Sequence, residues 1–340
     1  MIFFFRVDAS ASIGNGHLVR CMTLAKSLLD KKATVVFICA DLSDSFVHLI
    51  DGTGIILEKI GSSSDDVKDA NKVEIILSRY PKGVMVVDHY ELNISWHKII
   101  SERVFKIAVI DDLANRLLFC HLLINSGCFN KEGYKLLVPD FCEQMLGPEY
   151  VIIKPEYLKY RKENLTEKIQ RVFIFMGGAD SKNMTSRIIE SFSDSMFNEI
   201  HFDIVIGSSN PQKSNIENAL SSKANFTSYF SRPHLADLMQ KADLAIGGGG
   251  ITSWERICIG LPSGIITLAK NQVSTTQYLH DKGLVSYIGH YDVVTNQNIQ
   301  QFLINEISAG TLRKQFIAAN KLCDGLGANR VAKKLLTLLD

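Results

Sequence analysis

The chain has 340 residues, 46% of them hydrophobic, and its 37 Lys and Arg nearly balance 36 Asp and Glu, for a net charge of +1. Single hydrophobic cores stop growing at about 250 to 300 residues, so two domains with ample buried surface are expected. The balanced charge excludes a surface built to hold nucleic acid or another polyanion.

The first element is an apolar run, Met1 to Phe5, too short for a membrane span, that reads as a buried strand. Gly14 and Gly16 permit a tight turn and close backbone approach to a ligand. Leu18, Cys21, Met22, Ala25, Leu28 and Leu29 then recur at helical spacing, which puts His17 at a helix N-terminus. The unpaired amides and dipole at such a terminus disfavour added positive charge, and a neutral imidazole accepts protons. His17 is therefore a candidate general base for activating water or a hydroxyl.

Strands are predicted over residues 34–40, 55–57, 83–88, 104–110 and 122–125, the last of the first half, with helices over 43–51, 66–80 and 93–100. The run 83–88 is almost continuously apolar, as in strands buried on both faces of a parallel sheet, and ends in Asp88. Asp88-His89-Tyr90 and Asp111-Asp112 both close strands. Alternating β and α elements with carboxylates at strand ends indicate a doubly wound sheet, whose ligands bind beyond the carboxyl ends. Around residues 147–150 the pattern breaks, and 154–168 is highly charged. The expected organisation is an N-terminal domain over 1–150, a linker over 151–168 and a C-terminal domain over 169–340.

In the second half, strands are predicted at 171–176, 202–206, 226–229, 244–246 and 263–268, with helices at 182–192, 213–220, 234–241 and 252–259. Residues 299–322 and 328–339 read as final helices, the last of which could cross back onto the first domain. The expected fold is α/β, with two Rossmann-like domains facing across a cleft.

The strongest chemical signal is Gly247-Gly248-Gly249-Gly250 between a strand and a helix. Four glycines leave no side chains between backbone amides and a ligand, and Thr252 and Ser253 add hydroxyls at the helix N-terminus, a design suited to phosphate. The loop matches neither the dinucleotide fingerprint nor a Walker A loop. Glu255, one turn on, is placed to bond ribose hydroxyls. Gly177-Gly178 is a second glycine turn at a strand end, and Asn271-Gln272 follows a strand where amide side chains can read a sugar or diphosphate. Arg20, one turn past His17, is placed to bond the carboxylates or help fix the loop, or else to form a structural salt bridge.

The carboxylates with His17 have ligand types suited to a divalent metal, but they lack the spacing of a zinc helix, and no metal is expected. The seven cysteines, at positions 21, 39, 120, 128, 142, 258 and 323, are odd in number and form no C-x-x-C pair, which argues against a disulfide framework and a zinc site. Reduced, mostly buried thiols are expected. His48, His97, His201, His280 and His290 read as surface or packing residues. No segment has the form of a secretory leader and no apolar run reaches spanning length, so a cytoplasmic protein without a membrane partner is expected.

Several motifs taken together resemble the UDP-sugar hydrolases of pseudaminic acid biosynthesis. They are Arg6-x-Asp8-x-Ser10, Ile13-Gly14-x-Gly16-His17-x-x-Arg20-Cys21, Asp88-x-Tyr90 and Asp111-Asp112-Leu113-Ala114-x-Arg116. Gly147-Pro148-x-Tyr150, Gly177-Gly178-x-Asp180-x-x-Asn183, the Gly247 to Gly250 loop with Trp254-Glu255-Arg256, and Asn271-Gln272 extend the match over nearly the whole chain.

The resemblance implies a glycosyltransferase B-type fold related to the lipid II synthase that transfers N-acetylglucosamine. It also implies metal-independent hydrolysis of UDP-2,4-diacetamido-2,4,6-trideoxy-β-L-altropyranose to UDP and free sugar, with inversion; no cofactor, a small-molecule UDP-sugar partner and a monomer are expected. Carried over, His17 is the base, Tyr90 lies near the sugar, Asn271 lies near sugar and diphosphate, and Glu255 holds the ribose. Asp8, Gly14, Gly16, Arg20, Asp88, Asp112 and Gln272 are expected on the substrate. Gly177, Gly178, Gly248, Gly249, Gly250, Thr252, Ser253 and Glu255 are expected on UDP. Met176 stands where Phe is usual, and Pro155 interrupts a segment that often carries Arg. Two other readings remain: a glycosyltransferase passing the sugar to an acceptor, and a UDP-sugar-binding module without turnover.

Overall fold

The computed structural model describes residues 1–10, 14, 16–127, 131–166, 168–232, 234–308 and 311–339; Ile13 and Cys128, named above, lie outside them. The chain divides into two compact units, Met1–Lys154 with Gly325–Asp340, and Pro155–Asp324.

The first unit is built on a parallel sheet of seven strands: β1 (Ile2–Val7), β2 (Thr34–Cys39), β3 (Ile56–Lys59), β4 (Val84–Asp88), β5 (Lys106–Ile110), β6 (Leu122–Asn125) and β7 (Glu143–Leu146), in the order β3-β2-β1-β4-β5-β6-β7. Side chains alternate across a strand, and the two faces of β1 feed two cores. Phe3, Phe5 and Val7 pack with Leu18, Cys21, Leu24, Ala25 and Leu28 of the first helix, Gly16–Leu29. Ile2 and Phe4 pack on the other face with Ala70, Val73, Trp96 and Ile100.

The second unit holds β8 (Arg171–Phe175), β9 (His201–Ile206), β10 (Phe226–Phe230), β11 (Leu244–Gly248), β12 (Ser263–Thr267) and β13 (Ser286–His290), all parallel, ordered β10-β9-β8-β11-β12-β13. Val172, Ile174, Phe202, Ile204, Leu244 and Ile246 form the centre of its core. Two parallel-sheet α/β units thus match the expected fold class.

Several boundaries differ from the sequence reading. β7 and β13 are unpredicted edge strands; both are only partly buried and carry polar residues, so they lack the apolar run that marks a central strand. The long helix over 299–322 is two helices, Asn296–Ser308 and Thr311–Leu322, and the helix over 43–51 is a single turn, Asp44–Val47. The segment 151–168 is no separate linker. Val151, Ile152 and Ile153 are buried in the first unit, whereas Pro155–Tyr160 is a short 3-10 helix of the second, with Tyr157 buried. The last helix, Gly327–Thr337, belongs to the first unit, where Ala328, Val331, Ala332 and Leu335 join the core of the first helix. Cys21, Cys39, Cys120, Cys142, Cys258 and Cys323 are buried and take part in no disulfide.

Candidate active site

In a doubly wound sheet, neighbouring strands whose connections leave in opposite directions open a crevice at their carboxyl ends. In the first unit that point lies between β1 and β4, which pair from Phe3↔Val84 to Val7↔Asp88. The helix carrying His17 and Arg20 follows β1, and Asp88 is the last residue of β4. The topology therefore brings together side chains that are 71 and 68 residues apart.

Asp88, only 1% exposed, is the hub of this cluster. Its Oδ1 lies 2.6 Å from His17 Nδ1, while Arg20 donates from Nε to Oδ2 at 2.6 Å and from Nη2 to Oδ1 at 2.6 Å. Cys21 Sγ donates to Oδ2 at 3.4 Å. Burial opposes ionisation of Asp88, but the Arg20 charge, then His17, outweighs it and holds the carboxyl well below the usual carboxylate range. Burial and the Asp88 charge push the Cys21 thiol up, so it remains a donor.

An ionised Asp88 fixes the imidazole tautomer. In a neutral imidazole the Nδ1 proton then lies toward Oδ1, which leaves Nε2 as the acceptor nitrogen. Arg20 Nη2, 3.2 Å from Nδ1, is then a close neighbour and not a donor to it. Arg20 also donates from Nη1 to both oxygens of Asp112, at 3.1 and 2.8 Å, and Tyr90 donates to Asp112 Oδ2 at 3.1 Å. Tyr90 packs edge-on against His17, with ring centroids 4.5 Å apart. Arg20 thus bonds both carboxylates and orients the Asp88 carboxylate against His17.

Asp8 does not join this cluster. It is 4% exposed, and Oδ1 is taken by Arg6 Nη1 and the amides of Ala40 and Asp41, while Oδ2 faces His89 Nε2 at 3.3 Å. Asp8, expected on the substrate, is thus bonded within the protein, where it ties β1 to the residues after β2 and to His89 in the turn after β4. The same turn is held from the other side by Arg116, which donates to the carbonyls of His89 and Leu92 and pairs with Asp111 at 2.6 Å. Gly14, with φ of +83°, and Gly16 have open space where a side chain would start, so a ligand can approach both.

In the second unit the corresponding crevice lies between β8 and β11, and the two glycine turns follow those strands. Gly177, Gly178 and Gly250 have nothing within 4 Å of an added Cβ. A Cβ at Gly247 would fall 2.0 Å from Arg256 Nη1, and one at Gly249 would fall 2.8 Å from Thr276 Oγ1. Packing beneath the loop therefore demands two of the glycines, while others leave room above it.

Gly250 caps the helix Ile251–Ile259, and Thr252 is half-buried at its start. Ser253 is turned inward; it is 1% exposed and its hydroxyl donates to the Gly248 carbonyl at 3.1 Å, so it is not the ligand donor expected of it. Glu255 is 6% exposed and accepts a hydrogen bond from Tyr157. Gln272 accepts from the Leu268 amide at 2.8 Å, while Asn271 is exposed.

Sequence reasoning assigned no role to Cys21, Tyr157 or Arg256. For Arg256 a signal existed, since an arginine stands among the apolar residues Trp254, Ile257, Cys258 and Ile259. Among the described residues no group of three or more His, Cys, Asp or Glu is arranged to hold a metal ion.

Residues 171–335 match the glycosyltransferase family 28 C-terminal domain. Acinetobacter baumannii MurG superposes with a TM-score of 0.70 over 99% of both chains at 12% identity. The chain has a glycosyltransferase B fold. In sequence it is 29% identical over 285 residues, 83% of this chain and 97% of the relative, to a Campylobacter jejuni protein named UDP-2,4-diacetamido-2,4,6-trideoxy-beta-L-altropyranose hydrolase. The resemblance read from the motifs is thus to a relative of that name. The spore coat polysaccharide biosynthesis protein SpsG of Bacillus subtilis is 22% identical over 337 residues, 98% of this chain and 97% of its own. Among the described residues no helix is long and apolar enough to cross a membrane.

Proposed function

We propose that this protein hydrolyses UDP-2,4-diacetamido-2,4,6-trideoxy-β-L-altropyranose to UDP and the free sugar, as a cytoplasmic, monomeric enzyme of pseudaminic acid biosynthesis. The observation that carries the reading is the Asp88–His17 couple at the crevice of the first sheet, with Nε2 left as the proton acceptor. Water bound to Nε2 loses its proton to His17 as its oxygen forms a bond to the anomeric carbon. The bond from that carbon to the diphosphate oxygen breaks on the opposite face, its electron pair leaves with UDP, and the configuration inverts. Tyr90 and Asn271 contact the sugar, and Glu255 exchanges its bond from Tyr157 for the ribose hydroxyls. The Gly247 to Gly250 turn and the start of the following helix meet the developing diphosphate charge with backbone amides, so the step needs no metal.

The match to a glycosyltransferase domain favours a second reading, transfer of the sugar to an acceptor. One experiment separates the two. Purified, EDTA-treated protein incubated with the UDP-sugar in buffer alone releases equal amounts of UDP and free sugar if it is the hydrolase. Intact substrate under those conditions, with turnover restored by an acceptor, establishes the transferase.

A further inference from the structure

Arg256 is 0% exposed, and its side chain runs back along its own helix toward the N-terminus, as helical side chains do, to lie under the glycine turn. Nη2 donates to the Gly248 carbonyl at 3.0 Å and to Ser253 Oγ at 3.2 Å. Among the described residues Nη1 and Nε have no hydrogen-bond partner, and Nη1 lies 2.0 Å from where a Cβ of Gly247 would be. No carboxylate among the described residues forms an ion pair with it. Burial pushes the guanidinium down to about 10, with Glu255 opposing, and it stays charged at neutral pH. A fully buried, unneutralised cation is costly unless something offsets it. Its two side-chain hydrogen bonds go to the turn that ends β11 and to the first turn of the helix that follows.

We propose that Arg256 is the positioning residue of an anion site on this turn, fixing the loop for a diphosphate and supplying buried positive charge behind it. In a planar trans peptide the C=O and N–H point opposite ways. Holding the Gly248 carbonyl toward Arg256 therefore turns the Gly249 amide away from the guanidinium, toward the open side of the loop. The buried charge adds to the helix dipole, and both act through a medium that screens less than water. The inference deepens the proposed function and rests on its UDP-binding half.

The test measures affinity for UDP and for inorganic pyrophosphate by calorimetry, and for uridine by competition, in wild type, Arg256→Met and Arg256→Lys. Arg256→Met should weaken UDP and pyrophosphate about 10- to 100-fold, the size of a charge-assisted contact, while uridine changes less than about twofold. Arg256→Lys, which keeps the charge without the fork, should fall between. If the Met variant does not fold, the Lys variant alone decides, with a loss of about 3- to 10-fold for UDP and none for uridine. Unchanged UDP affinity in a folded variant, or equal loss for uridine and UDP, overturns the assignment while leaving the hydrolase reading intact. A wild type that binds neither UDP nor pyrophosphate overturns both.

Discussion

Replacing Asp88 by Asn keeps the shape of the hub and removes one oxygen acceptor. In the native site both carboxylate oxygens accept, Oδ2 from Arg20 Nε and Oδ1 from Arg20 Nη2 and His17 Nδ1. Asn presents one oxygen and one NH2 group. If its oxygen faces Arg20 Nε, its NH2 meets the Nδ1 proton, and the imidazole relaxes by moving that proton to Nε2. The base then holds a proton where it should have a lone pair. Loss of the correct tautomer in an Asp–His couple lowers kcat by about 10³ to 10⁴, or about 4 to 5.5 kcal/mol of barrier.

The fold should survive, because Arg20 keeps Asp112 at 2.8 and 3.1 Å and is not orphaned. A stability cost of about 1 to 3 kcal/mol is expected, below the cost of a stranded buried charge. The assay is single-turnover release of UDP from the UDP-sugar, with substrate affinity measured separately and folding checked by thermal melting. The double variant with His17→Ala should be no slower than His17→Ala alone, since the two residues act as a unit. A folded Asp88→Asn enzyme with kcat within about tenfold of wild type refutes the tautomer argument.

Three further outcomes follow from the same geometry. His17→Ala should abolish UDP release while the UDP-sugar still binds, and turnover within several-fold of wild type would remove His17 as the base. Gly327→Ala should cost about 1 to 3 kcal/mol in urea unfolding, because its Cβ would meet the backbone of Val151 at 2.3 Å. Elsewhere in a helix the same change gains stability, so an unchanged or higher midpoint would deny that the last helix packs this closely. Burial, then the Arg116 charge, pushes His97 down from 6.5 to about 3, while its Nδ1 accepts from the Phe119 amide. Between those values only the unfolded chain binds the proton, so this stability is complete above pH 6.5 and is lost at about 1.4 kcal/mol per unit as pH falls toward 3. His97→Asn should flatten the stability profile from pH 6.5 to 4, and a slope equal to wild type would show that His97 does not titrate this way.

The central strands, the two glycine turns and the position of His17 were legible because each is a local pattern. Apolar runs of strand length announce β1, β4 and β11. Glycines at their ends mark turns, and the periodicity of Leu18, Cys21, Ala25 and Leu28 marks the helix that follows. Edge strands β7 and β13 were hidden because half-exposed residues carry no such run. The status of individual polar residues was hidden for a different reason. Asp8 and Asp88 both stand at the ends of apolar strands, and Ser253 stands beside Thr252, yet Asp8 and Ser253 turn inward while Asp88 meets His17. What decides between them is which partners the tertiary structure brings within about 3 Å, and those partners lie tens of residues away in sequence. The amino-acid sequence by itself determined the two α/β units and the elements that carry the chemistry, since period and propensity are read along the chain. The tertiary structure alone decided the tautomer of His17, the salt-bridged setting of Arg20 and the unneutralised charge of Arg256, because ionisation and hydrogen bonding depend on neighbours in space.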